Sequence, residues 1–379
     1  MIGDERLRQI SGYLDRVSND DPKILVCLRE YLNAVYDSKQ YQKWLADDQY
    51  AGQRSFDGKP PEPHEASLRY PEYKHLLTEY ALIAGGRLQI KIDRHFDRIH
   101  ITDGFWVSAL DRVFPTCDES ELVCNFIKEN VEVQENSLFI DAACGSGHHT
   151  LGLKEHFKRR ASFDISGRAI AFARFNSILN EDAKHLVGYG DVRDGICEEI
   201  TSPVGGHVVF GINMPFAIPP ERRTGTQRFS FSQDGGDRGA ELTNAALMAV
   251  HQFSERDDSY QKLDAVILCY SLGSLNDSQN WQWEIPQRAA DLFSDDEIEF
   301  HLLSDETLWR VNGKKEQPNP MPIDSIISKA DCVHTFSDSV REAKRAAYAE
   351  RVNEFKEEGF THLGYGIIHI KKKRSRFLG

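Results

Sequence analysis

Apolar positions in the first part of the chain recur at helical spacing. Leu7, Ile10, Leu14 and Val17 fall on one face, and so do Leu25, Leu28, Leu32 and Val35. Residues 1 to about 45 therefore predict helices. The next stretch carries Gly58, Pro60, Pro61, Pro63 and Pro71 and reads as a long loop or linker, either a domain boundary or a lid. A short helix is expected from about residue 76. Beyond it, two alternating runs, Leu88-Ile90-Ile92 and Ile99-Ile101, flank a polar turn between Arg94 and Arg98, which is a hairpin signal. FPTCDESELVCNFIKEN supplies another helix, with Asp118 or Thr116 as its cap and Leu122, Phe126 and Ile127 on its buried face.

The rhythm then changes. Strand SLFIDAAC is followed by helix HHTLGLKEHFKRR, and strand ASFDI by helix GRAIAFARFNSILN. Strand LVGYG ends at Asp191 and strand HVVFGIN at Asn213, with a helix from about Gly239 to Phe253. Strand LDAVILCY, a helical stretch near Gln287 to Leu292, strand IEFHLL and strand GYGIIHIKKK complete the pattern. Such alternation predicts an α/β fold with a mostly parallel sheet covered on both faces. Residues 305–360 interrupt it with a proline-rich loop and a helix from about Asp338 to Glu358. Ser339 with Glu342 is a candidate capping box there, and Gly359 a helix stop. A hairpin needs far less chain, so the segment is an insertion with its own task, in substrate coverage or dimer packing. The expected organisation is a helical region over 1–75, a hairpin and connecting helix over 76–135, and the α/β domain over 136–379 with the insertion at 305–360.

Composition narrows the function classes. The 379 residues are 40% hydrophobic and 28% charged, an ordinary globular mixture with room for two or three domains. A net charge of −13 weighs against a nucleic-acid partner, although a local basic patch such as Lys371 to Arg376 would still serve one. No apolar run is long enough for a membrane span, and the charged first residues lack the apolar stretch of a signal peptide. Seven scattered cysteines, never in C-x-x-C pairs, suit a reducing cytoplasm and read as neither a disulfide framework nor a zinc site.

The chemistry concentrates in Phe139 to Gly147, F-I-D-A-A-C-G-S-G. A buried strand ends at Asp141, a turn follows through Ala143 and Cys144, and Gly145 and Gly147 let the backbone lie close against a ligand before a helix opens near His148. Asp164, followed by Ile165, stands at the carboxyl end of the next strand, placed to accept both hydroxyls of a ribose. Asp191, followed by Val192, ends the strand after that and can receive an adenine amine. Three consecutive strand ends then face one crevice, where open α/β sheets bind ligands. The turn lacks the G-x-G-x-x-G of dinucleotide folds.

D-x-x-C-G-S-G with Asp164 and Asp191 resembles the first three motifs of the class I methyltransferases that use S-adenosyl-L-methionine. The resemblance implies a Rossmann-like sheet of that class. It gives the glycine turn to the methionine and ribose portion of the cofactor, Asp141 to the methionine amine, Asp164 to the ribose and Asp191 to the adenine. Asn213-Met214-Pro215-Phe216 resembles the N-P-P-[YF] motif of amino-methyltransferases, with Met214 in place of the first proline. There the Asn213 side-chain oxygen and the Met214 carbonyl would each accept an N–H of a planar amine, aiming its lone pair at the methyl. Phe216 would stack on that planar group and Pro215 would fix the loop. FPTCDESELV and DGGDRGAEL are similar to segments that flank these motifs in the same group. The implied reaction is direct in-line methyl transfer, without metal, to a nitrogen of a small-molecule acceptor. A protein glutamine, a nucleic-acid base, and aminocarboxypropyl transfer or cyclisation on the same cofactor stay open, as does a homodimer.

Other eye-catching residues have plain readings. His148 and His149 suit local hydrogen bonding at a helix entry, and Cys144 a small side chain in a crowded turn. Trp281, Trp283 and Trp309 suit core packing. Tyr270 and Ser271, at the end of strand LDAVILCY, line the acceptor pocket or are surface turn residues; both readings stay open here.

Overall fold

The structure, a computed structural model, describes residues 4–49, 64–104, 111–114, 118–182, 185–196, 200, 206–219, 234–236, 238–257, 259–307, 318–332 and 338–373. It opens with helices α1 (Asp4–Asp20), α2 (Lys23–Tyr36), α3 (Lys39–Gln49), α4 (His64–Arg69) and α5 (Pro71–Glu79). The expected loop therefore contains a helix, α4, and the next one starts at Pro71 instead of about 76. Proline fits there because the first helical position needs no N–H. A two-residue pair, β1 (Ile83–Ala84) with β2 (Arg87–Leu88), precedes the hairpin β3 (Lys91–His95) and β4 (Arg98–Thr102). Phe96 and Asp97 form its turn with φ of 50° and 59°, the left-handed geometry that matches strand twist in two-residue hairpins.

The chain continues through α6 (Asp118–Asn130), β5 (Leu138–Ala142), α7 (His148–Gly152), β6 (Arg159–Asp164), α8 (Gly167–Leu179), β7 (His185–Tyr189), β8 (His207–Asn213), α9 (Glu241–Arg256) and β9 (Lys262–Leu275). After it come β10 (Trp281–Trp283), α10 (Glu284–Leu292), β11 (Glu297–Leu302), β12 (Met321–Pro322), a 3-10 segment (Ile323–Cys332), α11 (Asp338–Glu357) and β13 (His362–Lys373). The main sheet has the order β11-β13-β9-β8-β5-β6-β7. Its pairs from β9 to β7 are parallel, and β13 runs antiparallel to both β9 and β11. This is the Rossmann-like class I sheet expected from the sequence.

Both faces of the central strands are covered, which explains their nearly continuous apolar runs. Ile140, Phe210, Ile212 and Ile267 pack under α9 and α10. Phe139, Val209, Leu268 and Ile367 pack on the other face, against Leu122 and Ile127 of α6 and against Tyr348, Val352 and Phe355 of α11. The insertion thus supplies α11 to a sheet face, and β12 lengthens the sheet at the start of β13. A third cluster joins Leu7, Leu28, Tyr31, Leu77, Ile92 and Ile101 to Ala169, Phe172, Phe175 and Leu179 of α8. The opposite side of α8 presents Ile170 and Ala173 to Cys144 and Val187. Helix α8 carries apolar side chains on two sides because it lies between the sheet and the N-terminal helices.

Several sequence expectations are corrected. The helix after the glycine turn ends at Gly152 instead of running to Arg160. A Cβ at Gly152 would lie 2.5 Å from the Phe96 ring, so the hairpin crowds the helix where it stops. Arg160, the last residue of that expected helix, is a buried strand residue whose guanidinium donates to the Lys154 and Phe157 carbonyls and pairs with Asp182. Helix α6 begins at Asp118 itself, so that residue is not the cap, and Thr116 lies outside the described residues. Helix α11 begins at Asp338, which puts Ser339 inside its first turn and removes the proposed capping box; Gly359 does end it, with φ of 93°.

One buried ion pair ties the N-terminal region to the sheet domain. Arg168 on α8 donates to Asp103 through Nε at 2.7 Å and Nη2 at 2.5 Å, and Asp103 also accepts the Val113 N–H. Both side chains are almost fully buried. Asp103→Ala strands a buried guanidinium and is expected to cost about 3 kcal/mol. A fall in the urea midpoint checks this; an unchanged midpoint would contradict it.

Candidate functional site

The strand tips meet at the glycine turn. Ala142 pairs with Phe163 on one side and Ile212 on the other, and Asp164 pairs with Tyr189. The turn residues Ala143, Gly145 and Gly147 have φ of 60°, 53° and 82°. Ala143 holds this strained conformation without being glycine, as happens where surrounding structure dictates the backbone. Nothing lies within 4 Å of a Cβ built on Gly145, so the turn faces open space there. A Cβ on Gly147 would come within 3.3 Å of Ala173, so this glycine serves the close approach of α8.

Asp164 holds the turn in place. Its Oδ2 accepts the Gly145 N–H at 2.9 Å and its Oδ1 the Ser166 N–H at 2.8 Å. Burial pushes its carboxyl up to about 6, although both backbone bonds pull the other way. Ile165, next to it, is 39% exposed, an apolar surface beside a polar strand tip. Asp191 sits one strand further out, where Arg193 binds both its oxygens and holds its carboxyl below the usual range. Val192 is buried and offers only its backbone to a ligand.

Asp141 is fully buried. Its oxygens are engaged by His149 Nδ1 and Thr150 Oγ1, each at 3.1 Å, so it binds α7 to the strand. His149 thus has the local role expected of it. Burial pushes the His148 imidazole well below its ordinary range, and its Nε2 has no hydrogen-bond partner among the described residues. Burial likewise pushes the Cys144 thiol up, which makes it a packing side chain and not a nucleophile.

The segment Asn213 to Phe216 occupies the next tip. Asn213 ends β8, directly beyond the Ile212–Ala142 pair, and its side chain makes no hydrogen bond to another described residue. Met214 is buried under the sheet. Phe216 stands edge-on to Tyr270, with ring centres 4.8 Å apart, and lies 5.5 Å from Tyr365. Tyr365 in turn donates to Glu119 of the FPTCDESELV segment. The DGGDRGAEL segment folds back on the loop: Gly235 N–H donates to Ala217 O at 3.2 Å, and Ala217 bridges Asp234. Cβ atoms on Gly235 and Gly239 would each come within 2.5 Å of the Phe216 backbone. DGGDRGAEL is therefore in contact with this segment, and FPTCDESELV reaches it through Tyr365. Gly235→Ala must shift the Phe216 backbone, and we expect it to cut turnover at least tenfold while cofactor affinity stays within about twofold. Calorimetry alongside a turnover assay checks the split; unchanged turnover would refute it.

Several contacts had no signal in the sequence. His100 Nε2 meets Ser146 Oγ at 2.8 Å, and Asn176 binds both Ile101 backbone groups and the Ser146 carbonyl. The N-terminal hairpin thereby supports the glycine turn. Tyr348 of the insertion donates to Ile218 O at 3.3 Å, just after the acceptor motif. Ser271 Oγ accepts the Ile285 N–H, and Trp283 packs over Gly273 and Gly364, so both are structural. Trp309 and residues 374–376 lie outside the described residues, while Lys371 and Lys372 end β13 in ion pairs. Among the described residues, no helix is long and apolar enough to cross a membrane.

No family model and no curated protein matches the chain. Solved structures do. One is a putative sarcosine dimethylglycine methyltransferase from Galdieria sulphuraria, 9% identical over 67% of this chain and 85% of that one, with a TM-score of 0.38. Another is a phosphoethanolamine N-methyltransferase 2 from Haemonchus contortus, with phosphomonomethylethanolamine and S-adenosylhomocysteine, 11% identical over 80% and 74%, TM-score 0.35. A third, the MccD protein, is 17% identical over 68% and 100%, TM-score 0.36. Likeness of this size decides nothing about activity, and the site is read from its own residues.

Proposed function

We propose that this chain is an S-adenosylmethionine-dependent methyltransferase that methylates a nitrogen of a small molecule. The observation that carries the reading is the row of adjacent strand tips, in which Asp164, the open side of Gly145 and the uncommitted amide of Asn213 face the same end of the sheet. These residues fit the cofactor. Asp164 has lone pairs left for two ribose hydroxyls, exposed Ile165 offers a surface for a flat purine, and the φ values at Gly145 and Gly147 admit a ligand against the backbone. Asp141 and Asp191 are assigned to the methionine amine and the adenine amine; Asp191 exchanges a bond to Arg193 for the adenine, and buried Asp141 acts through the helix entry that it holds. Bound here, the cofactor supplies an electrophilic methyl on a sulfonium.

The remaining work is positioning. Asn213 Oδ1 and the Met214 carbonyl accept the acceptor's N–H groups and fix the direction of its lone pair. Phe216, braced by Tyr270 and Tyr365, forms an apolar wall that keeps water away. Helix α11 buttresses the loop through Tyr348, which supports a role for the insertion in enclosing the acceptor. The small acceptor accords with the acidic charge of the chain.

Met214 in place of proline and the edge-on packing of Phe216 both depart from a stacking site for a flat amine. They are equally compatible with one competing reading, transfer of the aminocarboxypropyl group from the same cofactor. Mass spectrometry of the co-product separates the two. S-adenosylhomocysteine, with an acceptor heavier by one methylene, supports methyl transfer; methylthioadenosine overturns it.

A further inference from the structure

We infer that Glu299, His301 and His369 form a binding site for one divalent transition-metal ion of the zinc type, remote from the glycine turn. The site follows from strand register. Glu299 on β11 pairs directly with His369 on β13, and His301 follows two residues after Glu299, so all three side chains share one face. Their donor atoms lie within 4.8 Å of one another. Glu299 Oε2 is 3.1 Å from His301 Nε2 and 3.9 Å from His369 Nδ1. Ligands bound at about 2.0–2.1 Å in a tetrahedron stand about 3.3 Å apart, so small rotations of the two half-exposed side chains, Glu299 and His301, complete the geometry.

The fixed member is His369. It is buried, and its Nε2 lies 2.7 Å from Asp264 Oδ1. Asp264 Oδ2 is in turn 2.6 Å from His207 Nε2, and Lys262 stands 3.1 Å from the same carboxylate. Asp264 holds the His369 ring by Nε2 and turns Nδ1 towards Glu299 and His301. A carboxylate behind the histidine is how metal-binding imidazoles are commonly oriented. The Phe126 ring lies 5.0 Å from His301 and 5.4 Å from His369 and shields the site from one side.

Lys371 is the group that competes. Its Nζ is 2.8 Å from Glu299 and equally 2.8 Å from Glu297, so a cation on Glu299 leaves Lys371 with Glu297 as its partner. Two imidazoles and one carboxylate match zinc and its neighbours better than calcium or magnesium, which prefer oxygen. The ion would clip β11, an end strand of the main sheet, to β13. Across the sheet His369 stands level with Val266 of β9 and Gly211 of β8, on the third strand out from β5 and its glycine turn. The inference is therefore independent of which group the cofactor donates.

The full chain, stripped with EDTA, is titrated with Zn2+ and with Co2+. One ion per chain, visible absorption bands of four-coordinate Co2+ that Zn2+ abolishes, and a rise in Tm with Zn2+ are expected. His301→Ala and Glu299→Gln, at half-exposed positions that leave the core intact, should each weaken binding by tenfold or more and erase the Tm rise. Asp264→Asn should weaken it without changing the stoichiometry. Absence of binding at 100-fold excess metal, or equal affinity in wild type, His301→Ala and Glu299→Gln, would overturn the site.

Discussion

Asp164→Asn should weaken S-adenosylmethionine binding by roughly 100-fold at neutral pH while leaving the chain folded. The asparagine keeps one acceptor for the Gly145 or Ser166 N–H but loses the charge and one acceptor oxygen. Hydrogen bonds to a charged group are worth about 1.5–3 kcal/mol each, so losing their charge assistance to two ribose hydroxyls amounts to about 3 kcal/mol. Affinity should also depend on pH in the wild type. Burial raises the Asp164 carboxyl to about 6, and the ribose hydroxyls need its ionised form. Binding is then full above about pH 7 and weakens as pH falls, by about tenfold at pH 5. The same raised value lowers folding stability as pH rises from the unfolded carboxyl range, near 4, to about 6, because the folded state must then carry a buried charge. Calorimetric titration of cofactor into wild type and Asp164→Asn at pH 5, 6 and 8 checks both statements. A variant within threefold of wild type at pH 8 would remove Asp164 from the ribose site.

Asn213→Ala should do the converse. Cofactor affinity is expected within twofold of wild type, with kcat lower by about 100-fold or more, the usual cost of deleting one oriented polar group at a reacting centre. The side chain makes no hydrogen bond to another described residue, so stability should change little. Single-turnover rates at saturating cofactor separate this from a binding defect. Equal kcat in the two proteins would show that the acceptor is held elsewhere.

The backbone of this site was legible because a buried parallel strand must be apolar throughout, and its tip is where polarity returns. Asp141, Asp164 and Asn213 each close such a run, and Asp191 follows the half-exposed end strand β7, so their placement on neighbouring strands followed from βαβ connectivity. What each carboxylate touches was not legible. Asp141 binds His149 and Thr150, its own next helix, and Asp191 binds Arg193; either pairing depends on backbone turns that residue types do not specify. Arg160 misled because basic residues in sequence suggest a solvated helix face, while burial here is paid for by two carbonyls and Asp182. The contact between Glu299 and His369 depends on antiparallel register across the whole insertion, which apolar periodicity does not encode.

Helix α8 carries Phe172, Phe175 and Leu179 on the side turned away from the sheet, under a roof made by the N-terminal helices and hairpin. A shortened protein beginning at the first strand of the sheet would leave this greasy ridge facing water and would take Asp103 away from Arg168. Such a fragment should self-associate or precipitate instead of behaving as a minimal enzyme. The amino-terminal hundred residues are thus the lid of the molecule's own interior, and grafting them onto another sheet would require a matching aromatic helix to receive them.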